Sequence, residues 1–145
     1  MNLSNSFTLS ALTFSETAVR RGIPNVPNDE QVFNLTELAQ SLDRVQLLLG
    51  FPLHISSGFR SPKLNSIIGG SVNSAHLEGY AADFTCESFG TPLEVCKAIA
   101  GSDISFDQVI QEGTWVHMSV DHRMRRETLT AHFLAGKATY SPGLA

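Results

Sequence analysis

"SVNSAHLEGYAADFTC" spans Ser71 to Cys86 of a 145-residue chain. His76 and Asp83 lie seven positions apart in it, with the small residues Gly79, Ala81 and Ala82 between them. "YAADFTC" alternates as a strand does: Ala81, Asp83 and Thr85 take one face, Ala82 and Phe84 the other. A carboxylate entering an apolar strand is costly unless something cationic meets it. A metal ion is the candidate cation. The stretch thus predicts a loop that carries a histidine and runs into a half-buried strand.

The flanking sequence extends this pattern. Thr13 with Glu16 has the spacing of a capping box, and Gly22 stops the short helix that follows. Asn34 with Glu37 predicts the start of a second helix. Leu35, Leu38, Leu42, Val45 and Leu49 keep a helical period until Gly50. Pro52 to Ser57 reads as a short strand, and Ser61-Pro62 opens a brief helix that ends at Gly69-Gly70. Thr91-Pro92 with Glu94 starts another helix, running to about Gly101. "FDQVIQE" and "WVHMSV" predict an antiparallel hairpin across a tight "GT" link. "TLTAHFLAG" predicts an edge strand, and the tail from Lys137 reads as loose. Helices come first and strands gather later. That order predicts an α+β fold, a small, mostly antiparallel sheet with helices on one face.

The length favours one domain over residues 1–145. Hydrophobic content of 42% against 17% charged residues excludes a disordered chain. A net charge of −4 offers no basic face for nucleic acid. No segment approaches the roughly 18 apolar residues of a membrane span. The N-terminus lacks a basic n-region and a long apolar h-region, so synthesis in the cytoplasm without a signal peptide is the expectation. Cys86 and Cys96 have no metal-ligand spacing and read as buried thiols. The chain is expected to be a monomer.

Five histidines are present: His54, His76, His117, His122 and His132. His117 sits mid-strand in "WVHMSV", on the face of Trp115 and Ser119, while Val116 and Met118 face the other way. On neighbouring strands, Asp83 and His117 would supply two ligands, and His76 from the loop a third. Two imidazoles and a carboxylate leave a fourth position open for water, the arrangement of a catalytic zinc site. Such a site needs a general base. Glu112, at the end of the strand before His117, is the nearest carboxylate on that side, with Asp107 a weaker rival. Arg60, in "SSGFRSP", can aim a planar fork at a carboxylate or a developing oxyanion. His54, His122 and His132 read as structural or exposed.

"SGFRSPKLNSIIGGSVNSAHLEGYAADF", followed by "FDQVIQEGTWVHMSV", resembles the zinc D-Ala-D-Ala carboxypeptidase family of peptidoglycan peptidases. Ser74, His76, Gly79, Ala81 and Asp83 match the family's Ser-x-His-x-x-Gly-x-Ala-x-Asp pattern, and Trp115 and His117 match its later Trp-x-His. The resemblance runs from about Phe14 to Val120, and the upstream segments look like the phage and prophage endolysin branch. It implies a hedgehog/DD-peptidase-like fold, zinc held by His76, Asp83 and His117, and Glu112 as the base. It further implies substrate contacts through Arg60, Ser74 and Trp115. The activity implied is hydrolysis of peptidoglycan stem peptides by metal-bound water, as a D-Ala-D-Ala carboxypeptidase or an L-Ala-D-Glu endopeptidase. A lysis enzyme reaching the wall by a holin-like route fits that reading. One departure stands out. Several members place the catalytic acid three residues before the last histidine, where this chain has Thr114. A zinc-containing, non-catalytic cell-wall or protein binding module on the same fold is the alternative.

Overall fold

The computed structural model describes residues 1–145. It has five α-helices, α1 (Leu9–Thr13), α2 (Glu16–Arg21), α3 (Asp29–Leu49), α4 (Pro62–Ile67) and α5 (Pro92–Ala100). A short 3-10 turn covers Ala75–Glu78. Six strands, β1 (His54–Ser57), β2 (Ala81–Thr85), β3 (Gln108–Gln111), β4 (Val116–Ser119), β5 (Glu127–Leu134) and β6 (Lys137–Pro142), form one sheet. Their order is β1-β2-β4-β3-β5-β6, antiparallel except for the parallel β3–β5 pair. The α+β expectation holds. No helix is long and apolar enough to cross a membrane.

The sheet has two chemically different faces. Ala82, Phe84, Val109, Val116 and Met118 point inward and join Leu35, Leu38, Leu42 and Val45 of α3 and Val95, Cys96 and Ile99 of α5 in one core. The helical period from Leu35 to Leu49 is therefore a core stripe, and Gly50 caps α3 in the left-handed conformation. Asp83 and His117 occupy the opposite face. Both cysteines are buried. Burial first, then the charge of Glu112, pushes the Cys96 thiol up to about 12, so it is inert as a nucleophile at neutral pH.

Four local readings are corrected. α3 starts at Asp29, not Asn34. Asn28 and Gln31 cap its first turn reciprocally, the Gln31 N–H donating to Asn28 Oδ1 at 2.8 Å and the Asn28 N–H to Gln31 Oε1 at 2.9 Å. Asn34 lies inside the helix, and its amide donates to the Glu78 carbonyl at 2.8 Å. Ser15, not Thr13, caps α2, its hydroxyl accepting from the Ala18 N–H at 3.2 Å. The Thr13 hydroxyl instead donates to the Leu9 carbonyl at 2.9 Å within α1.

The other two concern the C-terminus. β5 is an interior strand, not an edge, and the tail from Lys137 is ordered as β6 along it. Leu134 pairs with Lys137 across the two-residue turn Ala135-Gly136, where both residues have positive φ (51° and 78°). Such a turn matches the twist of a hairpin, but alanine rarely adopts it, so the sequence signal is weak.

The charged stretch before β5 is also more than a solvated loop. Arg126 lies over the Phe106 ring at 4.5 Å and donates to the Ala100 and Ser102 carbonyls, closing the C-terminal end of α5. Asp107 is almost fully buried, and Arg125 binds it with its backbone N–H and two guanidinium nitrogens at 2.9–3.1 Å. Those hydrogen bonds hold its carboxyl below the usual carboxylate range, against the opposing effect of burial. A depressed pKa gives stabilisation that is full above about pH 4 and is lost as pH falls through the folded value. Asp107→Asn is expected to lose about 2 kcal/mol at pH 7. Its stability should also fall less steeply than wild type below pH 4. Urea unfolding at pH 7 and pH 3 measures both effects.

Candidate metal centre

Strand register assembles the centre. Asp83 on β2 pairs directly with His117 on β4, and both project from the face away from the helices. His76 approaches from the 3-10 turn just before β2. Ser74 caps that turn by accepting the His76 N–H at 3.2 Å, and Gly79 ends it with φ 80°. A Cβ at Gly79 would stand 2.8 Å from the Gln31 carbonyl oxygen. Glycine there lets the turn sit tightly on α3, which is the physical content of its fixed spacing from His76.

The donor atoms converge. His76 Nε2 lies 3.3 Å from Asp83 Oδ1, and His117 Nδ1 lies 3.0 Å from the same oxygen. All three ligand atoms fall within 4.8 Å of one another. The two imidazoles meet edge-on, with centroids 5.2 Å apart. Nitrogen and oxygen ligands on one tetrahedral zinc stand about 3.3 Å apart, given bonds of roughly 2.0–2.1 Å. The observed separations fit that spacing.

His76 Nδ1 donates to the Gly58 carbonyl at 2.7 Å. That contact fixes the tautomer and leaves the Nε2 lone pair facing a carboxylate oxygen. A proton or a metal ion between them removes the repulsion of the two lone pairs, and His117 facing the same oxygen makes a shared metal ion the cation that satisfies all three groups. Burial lowers the His76 pKa, against the pull of Asp83, which favours the neutral, ligating imidazole. Burial alone would raise the Asp83 pKa, but the two histidines outweigh it and hold the carboxyl well below its usual range. Gly58 is itself constrained: a Cβ would lie 2.2 Å from the Leu12 carbonyl oxygen. The close approach of β1's end to α1 thus sets the carbonyl that orients His76.

A cleft of about 430 Å³ opens over the three residues, and Arg60, Ser74, Glu112 and Trp115 also line it. The structure therefore brings together every residue singled out in the sequence for the site. Arg60 follows β1. Its backbone N–H donates to the His76 carbonyl at 3.1 Å, and its guanidinium donates to the Ser74 hydroxyl at 3.3 Å. Arg60 Nε is buried without a partner, which leaves a directed donor free. Burial lowers the guanidinium pKa below 12.5, and the charges of Asp83 and Glu112 offset part of that effect.

Glu112 occupies the link between β3 and β4, one residue past Gln111, where its N–H bonds the Trp115 carbonyl at 3.0 Å. Burial raises its pKa above 4.5; the nearby His117 lowers it, and the charge of Asp83 raises it further. Asp107, the rival base, is engaged on both oxygens by Arg125. His54 is exposed, His122 lies by Glu37, and His132 bonds the Ser141 hydroxyl, all outside the cluster. Tyr140 and Leu129 also line the cleft. Tyr140 lies on β6, in the stretch expected to be loose, and Leu129 lies on β5, expected as an edge strand with no part in the site.

The family model described as Peptidase M15 matches residues 5–119. That span takes in all three potential metal ligands, Arg60, Ser74, Glu112 and Trp115. No curated protein matches the chain.

Proposed function

The chain belongs to the Peptidase M15 family of zinc-dependent peptidases, and from that premise we propose that it hydrolyses the stem peptides of bacterial peptidoglycan. The scissile bond is D-Ala-D-Ala or L-Ala-D-Glu, and a lysis role follows if the enzyme opens intact walls. The observation that carries the reading is the His76–Asp83–His117 convergence inside a cleft that also holds Glu112 and an unpartnered Arg60 Nε.

In this reading His76, Asp83 and His117 would hold zinc. When bound, zinc supplies a Lewis acid and lowers the pKa of water toward neutrality. Glu112 accepts the proton of the attacking water as general base and delivers it to the leaving amine as general acid. Arg60 donates to the carbonyl oxygen as negative charge grows there. Ser74, bonded to Arg60, keeps the guanidinium aimed. The Gly58 carbonyl holds His76 in its ligating tautomer.

The test is hydrolysis of purified peptidoglycan, with metal analysis and mass spectrometry of the fragments. About one zinc per chain, chelator-sensitive release, and new L-Ala or D-Ala termini are expected. Zinc without release would favour a non-catalytic binding module instead. Chelation is also expected to lower the thermal midpoint, and added zinc to restore it. A ligand that binds only the folded state at 100 times its Kd stabilises by about 2.7 kcal/mol. Differential scanning calorimetry measures the shift.

A further inference from the structure

The β5–β6 hairpin lies beyond residues 5–119, so the family match assigns it nothing. It nonetheless builds one wall of the cleft. β5 pairs in parallel with β3, Gln111 opposite Thr130, and the next residue, Ala131, pairs with Tyr140 on β6. Tyr140 therefore sits in the sheet row that Glu112 enters. Cross-strand partners share a face, and Leu129 and Tyr140 both line the cleft. At the hairpin's far end Phe133 packs on Trp115, with ring centroids 6.1 Å apart, which ties the wall to the link that carries Glu112.

Sheet order then gives the cleft a direction. From the β1 side to the β6 side run Arg60, Asp83, His117, Glu112 and Tyr140. Glu112 lies on the Tyr140 side of the three ligands. Under the proposed function it hands a proton to the leaving amine, so the departing part of the peptide extends toward β6. We infer that Tyr140 is a specificity-determining residue whose phenol O–H donates a hydrogen bond to the residue bearing the leaving nitrogen, at its carbonyl or carboxylate oxygen. The residue is half exposed and lines the cleft, which leaves the ring accessible to a bound peptide. Burial and the nearby charges of Glu112 and Asp83 keep the phenol protonated at neutral pH, as a donor must be. This inference rests on the peptidase reading above.

Tyr140→Phe removes the hydroxyl and keeps the ring. The probes are the two fragments that wild-type protein releases from a stem peptide, each assayed as a product inhibitor. The fragment with the new amine should bind Tyr140→Phe about tenfold more weakly, the size of one lost hydrogen bond. The fragment with the new carboxylate should keep its Ki within about twofold. Zinc content and thermal midpoint should not change. Unchanged binding of the amine fragment overturns the inference, as does equal weakening of both fragments, which marks a merely structural role. A wild-type protein that releases no fragments overturns the peptidase reading itself, and this inference with it.

Discussion

Glu112→Gln is expected to keep its zinc and lose about 10²- to 10⁴-fold in kcat, the range that a general acid–base group contributes. The split follows from position. Glu112 lines the cleft but is not among the three donor atoms that converge within 4.8 Å. Glutamine preserves its shape, and the link keeps its Glu112 N–H to Trp115 carbonyl bond through the backbone. What disappears is the ability to take a proton. Metal analysis alongside steady-state kinetics on the cleaved peptide reads both halves of the result. Full activity in the variant would remove Glu112 from the mechanism. Loss of zinc together with activity would make it a structural support of the centre.

Asp83→Asn should have the complementary signature: a folded protein that does not hold its metal. The carboxylate faces both imidazoles from a single oxygen, at 3.3 and 3.0 Å. It supplies the only negative charge in the triad. Asparagine fills the same volume between Ala82 and Phe84, whose side chains anchor β2 in the core on the other face. Zinc affinity should fall by more than about 100-fold, beyond what losing an outer-shell partner of a ligand typically costs. Competition against a calibrated chelator measures it, with circular dichroism to verify the fold. A variant that binds zinc as tightly as wild type would take Asp83 out of the ligand set and leave the buried carboxylate unexplained.

These two expectations use residues that are legible in the sequence itself. Period-2 alternation in "YAADFTC" and "WVHMSV" put Asp83 and His117 opposite their core-facing neighbours, and the register pairs them directly. The 3.6 period from Leu35 to Leu49 marked the core stripe of α3. Helix ends were less legible. Asn34 resembles a cap but is spent on the Glu78 carbonyl, a contact 44 residues away that no local pattern announces. The C-terminal hairpin is the least legible element. Its Ala135-Gly136 turn puts alanine in a conformation that alanine disfavours, and β6 is so exposed that its alternation carries little hydrophobic contrast.

Sequence alone singled out the side chains that line the cleft, because strand alternation and the backbone freedom of Gly79 are local properties of neighbouring residues. The α+β class followed from the same local signals. Tertiary structure decided where those side chains meet. The 3.0 and 3.3 Å separations at Asp83, the Gly58 carbonyl that orients His76, and the engagement of Asp107 by Arg125 all join distant segments. So does the wall that Tyr140 adds to the cleft. Such contacts depend on strand order and on backbone approach distances, which are properties of the packed chain as a whole.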